Sequence, residues 1–137
     1  MIKTLMKNIF TPLLTRIQAL EYSLGLIADY VVERGTSNGW KYVKWHSGDC
    51  VAIKKTTVSS SGSSGIAVAT SSELASVFGV DTVDATNTFL DGMNANAISS
   101  SVHVESATYN NAGTWYVVLA SALSGSMELT LIAHYFA

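Results

Sequence analysis

Along the first 28 residues the apolar positions recur with a helical period. Leu13, Ile17, Leu20, Leu24 and Ile27 are separated by steps of four, three, four and three. That is a heptad seam with Ile17 and Leu24 at a, and Leu13, Leu20 and Ile27 at d. Thr11-Pro12 is a start signal, because threonine caps well and proline is tolerated at the first helical position. The firm helix is therefore expected over 11–27. Met6 and Phe10 extend the seam backwards if the helix survives Pro12. Arg16 falls at g and Glu21 at the following e, the pairing that bridges parallel neighbours. Residues 1–10 are expected to form a separate anchor, gripping through Ile2, Leu5, Ile9 and Phe10. A helix this short is marginal alone in water, so its seam needs a partner. Two partners suit it: a second copy of the chain, which the g/e pair favours, or the chain's own following domain.

After Asp29 the period changes to alternation. Strands are expected at Tyr30–Glu33, Trp40–Trp45, Cys50–Val58, Ile98–Glu105, Thr114–Ser121 and Met127–Phe136. Val80–Leu90 is β-prone as well. Turns are expected at Gly35–Gly39, Ser47–Asp49, Asp91-Gly92, Asn110–Gly113 and Ser124-Gly125. Ser59–Gly65 contains only serine and glycine and reads as a flexible loop. Ser72–Phe78 reads as one short helical turn closed by Gly79. Many strands at short spacing, with no second long helix, predict a mainly β protein. The expected architecture is an N-terminal helix over 1–28, forming a short parallel coiled coil. An antiparallel β-sandwich head of jelly-roll-like form then spans 29–137.

The chain has 137 residues and is 48% hydrophobic but only 13% charged, about half the usual charged share. Such a surface suits burial against copies of itself, or a neutral Ser/Thr/Asn-rich β-protein. Eight Lys and Arg against ten Asp and Glu, with no basic cluster, argue against nucleic-acid binding. No apolar run is long enough for a membrane span, and the first ten residues do not read as a signal peptide. The single cysteine, Cys50, forms no intrachain disulfide, so the fold is expected to form in a reducing cytoplasm.

The segment Asp29-Tyr-Val-Val-Glu-Arg-Gly-Thr-Ser-Asn-Gly-Trp-Lys-Tyr-Val-Lys-Trp-His-Ser-Gly48 resembles the opening of C-terminal head domains of phage tail fibres and related virion fibres. Leu129–Phe136 is similar to that family's closing strand. The chain departs from the family at Val43, where arginine is common, and at Cys50-Val51-Ala52, where Glu-x-Trp is common. The resemblance implies a homotrimer of β-heads on a helical coil, displayed on the virion surface after folding in the host cytoplasm. It also implies attachment to another virion protein through the N-terminus, and host surface carbohydrate as a candidate ligand.

No catalytic motif is present, and no enzyme, cofactor or metal is expected. His46, His103 and His134 form no ligand pair. Asp84, Asn87 and Asp91-Gly92 lack calcium-loop spacing and read as turn and cap residues. A glycosidase assembled from distant carboxylates stays open as an alternative, as does a capsid fibre or decoration protein that binds no receptor. A monomeric carbohydrate-binding module leaves the heptad unexplained. For a ligand contact the best candidates are Tyr109, Asn110 and Asn111 at a loop tip, with Trp115 beside them.

Overall fold

The computed structural model describes residues 1–27, 29–96 and 102–137; the side chains of 21–27, 95 and 96 are outside that description. Contacts divide the chain into two compact units, Met1–Tyr30 and Val31–Ala137. The first is a helix, α1 (Ile2–Ile27), that runs through Pro12 without a break. The expected start at Pro12 is thus corrected: Leu5 already donates to the carbonyl of Met1, at 3.1 Å. Proline deprives the Asn8 carbonyl of its helical donor. One turn later the Thr15 hydroxyl donates to the Thr11 carbonyl at 3.0 Å, a bond to the residue four positions back. At 1.5 Å per residue the helix is about 39 Å long. No described helix is long and apolar enough to cross a membrane.

The second unit is mainly β. Its strands are β1 (Val31–Ser37), β2 (Trp40–Trp45), β3 (Cys50–Thr70), β4 (Thr88–Asn96), β5 (Val104–Tyr109) and β6 (Thr114–Tyr135); a short helix, α2 (Ser71–Phe78), follows β3. All six strands belong to one antiparallel sheet, in the order β1-β2-β3-β6-β4, with β5 also paired to β6. The start of the strand expected at 98 lies outside the described residues.

The β1–β2 hairpin turns on two residues, Asn38 and Gly39, both at positive φ (52° and 80°). That is the preferred Asn-Gly turn, whose twist matches the strands. The expected five-residue turn is therefore shorter, because Gly35, Thr36 and Ser37 pair in the strand with Tyr42, Lys41 and Trp40. Gly35 is there for space: a Cβ on it would lie 2.5 Å from the Tyr42 hydroxyl.

The long strands β3 and β6 pair from Cys50–Tyr135 to Thr70–Thr114. This overturns the flexible loop expected over Ser59–Gly65 and the turn expected at Ser124-Gly125. Ser59, Ser60 and Ser61 pair with Ser126, Gly125 and Ser124. Within the irregular stretch that follows, the Ser60 hydroxyl oxygen accepts the Ser63 amide at 2.9 Å. From the Ser63–Leu123 pair to the Gly65–Val118 pair, β6 spans more residues than β3. Bulges of this kind bend a strand and raise its twist. The two ends of β6 thereby serve different partners. Its N-terminal part lies between β3 and β5, and its C-terminal part between β3 and β4.

One core serves both ends. Trp115, Val117, Leu119, Leu123, Met127, Leu129, Leu131 and Ala133 are all buried, so one parity of β6 points inward except at Ser121 and Gly125. Trp40, Ala52, Leu74 and Leu90 complete the centre. Asp91-Gly92, expected as a turn, lies inside β4. A Cβ on Gly92 would sit 2.9 Å from Val117 Cγ1 and 3.4 Å from Leu131 Cδ2, so glycine lets β4 approach the far end of the sheet.

Helix α2 forms as expected. Thr70 caps it by accepting the Glu73 amide, and Gly79 ends it in the left-handed conformation. Glu73 ties it to the sheet. Its Oε1 accepts from Trp40 Nε1 at 2.8 Å and pairs with Lys54 Nζ at 3.1 Å.

Candidate functional site

The loop tip proposed for ligand contact joins β5 to β6. Asn110 organises it. Its Oδ1 accepts the Ala112 and Thr114 amides at 2.8 and 3.0 Å, while its own amide donates to the Thr114 carbonyl at 3.1 Å. Asn111 (φ 59°) and Gly113 (φ 93°) take the positive φ values that close the turn. The Gly113 carbonyl accepts the Ser71 amide at 2.9 Å, and the Ser71 hydroxyl donates to the Tyr109 hydroxyl at 3.3 Å. The tip is thereby fastened to the start of α2.

Trp115 does not join this tip as a ligand-stacking surface. It is 4% exposed, and its ring lies against Tyr109 with centroids 4.7 Å apart. Its parity on β6 points into the core. The indole Nε1 is buried without a hydrogen-bond partner. Such a donor costs about 1–3 kcal/mol. Tyr109 is half-buried and Asn111 is exposed. The tip therefore presents one edge of a tyrosine and one or two amides, enough for a few hydrogen bonds. Trp40 is wholly buried.

The helix residues are arranged differently. Ile2, Leu5, Ile9 and Phe10 are 74, 61, 57 and 56% exposed, and Leu13, Ile17 and Leu20 are 51, 45 and 66% exposed. Arg16 is exposed as well. Phe10, Leu13, Leu14 and Ile17 line a shallow apolar hollow on the helix. Because α1 is continuous, Met6 (d) and Phe10 (a) join the seam in unbroken register. Glu21, Leu24 and Ile27 lie among the residues whose side chains are outside the description.

The titratable groups are held in structural roles. Glu33 accepts the Tyr42 hydroxyl at 2.8 Å and pairs with Lys44 at 3.5 Å. The phenol first, and the ammonium after it, lower the Glu33 carboxyl pKa; the same hydrogen bond raises that of Tyr42. Burial pushes the Cys50 thiol up to about 11. A thiol held protonated at neutral pH is a poor nucleophile. Asp84 accepts the Thr86 hydroxyl and amide, bonds that lower its pKa. Asn87 Oδ1 accepts the Asp84 amide at 3.0 Å. These are the turn roles expected of Asp84 and Asn87.

One feature of the surface escaped sequence reasoning. Phe89, Met93 and Phe136 are 58, 50 and 51% exposed, and Phe136 stacks on His134 at 4.1 Å. The available signal was apolar character on both parities of one strand, as at Phe89-Leu90 and Leu131-Ile132. Alternation leaves one face polar; a strand apolar on both sides has both faces covered.

Comparison with protein-family profiles, curated proteins and solved structures finds no match to this chain.

Proposed function

We propose that the chain is a non-enzymatic phage virion fibre protein, a homotrimer whose α1 helices form a parallel coiled coil and whose β-heads bind a host surface glycan. The observation that carries this reading is the seam on α1, which keeps heptad register from Met6 to Ile27 across Pro12. A 26-residue amphipathic helix has little reason to persist in water unless its stripe is covered. The resemblance of Asp29–Gly48 to fibre heads supplies the biological setting. The sheet supports a sandwich-like head, since its two ends share one core. The apolar residues before Pro12 then belong to the coil's start. Attachment to another virion protein falls to the same end, through Ile2, Leu5 and Ile9. In a trimer, weak single contacts at Tyr109, Asn110 and Asn111 add through multivalency.

A second reading, a structural capsid fibre or decoration protein, is favoured by the burial of Trp115, which removes the largest aromatic from the ligand tip. Glycan-array binding by the full chain separates the two. The receptor reading expects selective binding that Asn111→Ala weakens several-fold. Absence of binding by a trimeric sample leaves the structural fibre.

A further inference from the structure

The outer face of the sheet carries large apolar side chains among its polar ones, where alternation alone would leave it polar. Strand register places Arg34, Val43, Val51, His134 and Phe89 in one row across five strands. The next row is Thr36, Lys41, Ile53, Ile132 and Asp91. Ile53 on β3 is 45% exposed, and across Ile132 and His134 of β6 stand the exposed Phe89 and Met93 of β4, with Phe136 exposed at the end of β6. Together these four leave on the order of 500 Å² of apolar side chain in solvent, near the top of the range for a monomer's largest patch. With a polar rim, that approaches the ~800 Å² one partner contributes to a standard interface.

We infer that this face is where the head of one copy packs on the next, the β1–β2 edge of one against the β4 edge of its neighbour. The proposal rests on the trimeric reading above and adds where the heads meet. Three observations select a second copy as the occupant. The patch sets Phe89, Phe136 and Met93 among Val43, Val51, Ile53 and Ile132, and aromatics and methionine are enriched in the cores of protein–protein interfaces. Its edges carry opposite charge: Arg34 and Lys41 on β1 and β2, Asp91 on β4. A closed ring of copies needs two unlike, complementary patches on each chain. Moreover, Lys41 and Asp91 cannot satisfy each other within a chain. They share a row but stand three strand spacings apart, about 14 Å. Among the described residues the ion pairs are Lys44–Glu33 and Lys54–Glu73, and neither uses them. Finally, β4 is an edge strand of the sheet, and its outward Phe89 and Met93 flank Asp91, so the charge that would meet Lys41 sits between two large apolar groups.

The separation of Lys41 and Asp91 makes the test clean. The full chain carrying Lys41→Cys and Asp91→Cys is oxidised and run on a non-reducing gel. No bond can close within a chain, because a disulfide needs Cα atoms within about 7 Å. The proposal expects covalent dimer and trimer bands from the double variant and not from either single variant. Adding Phe89→Ser is expected to cut the ladder roughly ten-fold, as loss of an interface anchor does. In parallel, Asp91→Lys weakens the head contact and Lys41→Asp in the same chain restores it. A double-cysteine variant that is trimeric by light scattering but yields no ladder overturns the head contact and leaves the coil standing. That result also covers the case in which the chain's own helix occupies the face. A monomeric mass overturns both.

Discussion

In the head, Leu129 and Leu131 are wholly buried and Trp40, Leu74 and Val117 close around the same centre. In the helix, Ile2, Leu5, Leu13 and Leu20 are each more than half exposed. The two regions draw on the same kinds of side chain and differ in where the covering comes from. The head supplies its own, because β3 and β6 are long enough for both ends of one sheet to contribute to a single core. A lone helix cannot do this: it has one stripe and nothing within itself to set against it. Burial at the ~25 cal/mol per Å² of apolar area is thus realised inside the head, and a helix taken by itself realises little of it.

The difference can be broken from the head's side most strongly. Leu131→Ala removes a fully buried side chain beside Gly92 and is expected to cost about 3 kcal/mol. Urea denaturation followed by tryptophan fluorescence measures it; a loss under 1 kcal/mol would mean the core is looser than described. Next comes Pro12→Ala in the helix. Inside a helix, proline costs about 3 kcal/mol relative to alanine, so the substitution is expected to raise the helical melting transition markedly. If the helix began at Pro12, the far-ultraviolet signal would barely move. Thr70→Ala deletes the cap of α2 and is expected to lower head stability by about 1 kcal/mol, read from the same urea curve.

The last effect appears only at alkaline pH. Burial raises the Cys50 pKa from an ordinary 9.0 to about 11. Between those values the unfolded chain has released the proton and the folded head still holds it. Stability therefore falls as pH rises from 9 to 11 and is unaffected by this group below 9. Cys50→Ser should flatten that part of the stability-pH curve. An unchanged slope would remove the thiol as its cause.

Much of the head was legible in alternation. The strand Trp40–Trp45, the Ser47–Asp49 turn and the capped helix before Gly79 follow from local chemistry, and the structure has them. What misled were short turn signals read without their surroundings. Ser124-Gly125 looks like a turn, yet the inward parity from Trp115 to Ala133 passes straight through it. Gly92 looks like the second half of an Asp-Gly turn, but it is small because Val117 and Leu131 press on it. Ser59–Gly65 has no apolar residue to betray a strand; only its partner across the sheet makes it one. Pro12 carries a start signal that the surrounding stripe overrides. The candidate tip was half legible. Its turn chemistry was plain at Asn110, whereas the burial of Trp115 depends on the parity of a strand whose full length was not apparent.

The central claim is that the helix is incomplete alone and is completed by copies of itself. Multi-angle light scattering of the full chain at micromolar concentration tests it most directly. The account predicts a mass three times the 14.6 kDa of one chain, falling toward that of one chain when Ile17→Asn interrupts the seam. A mass of one chain for the unaltered protein would contradict it.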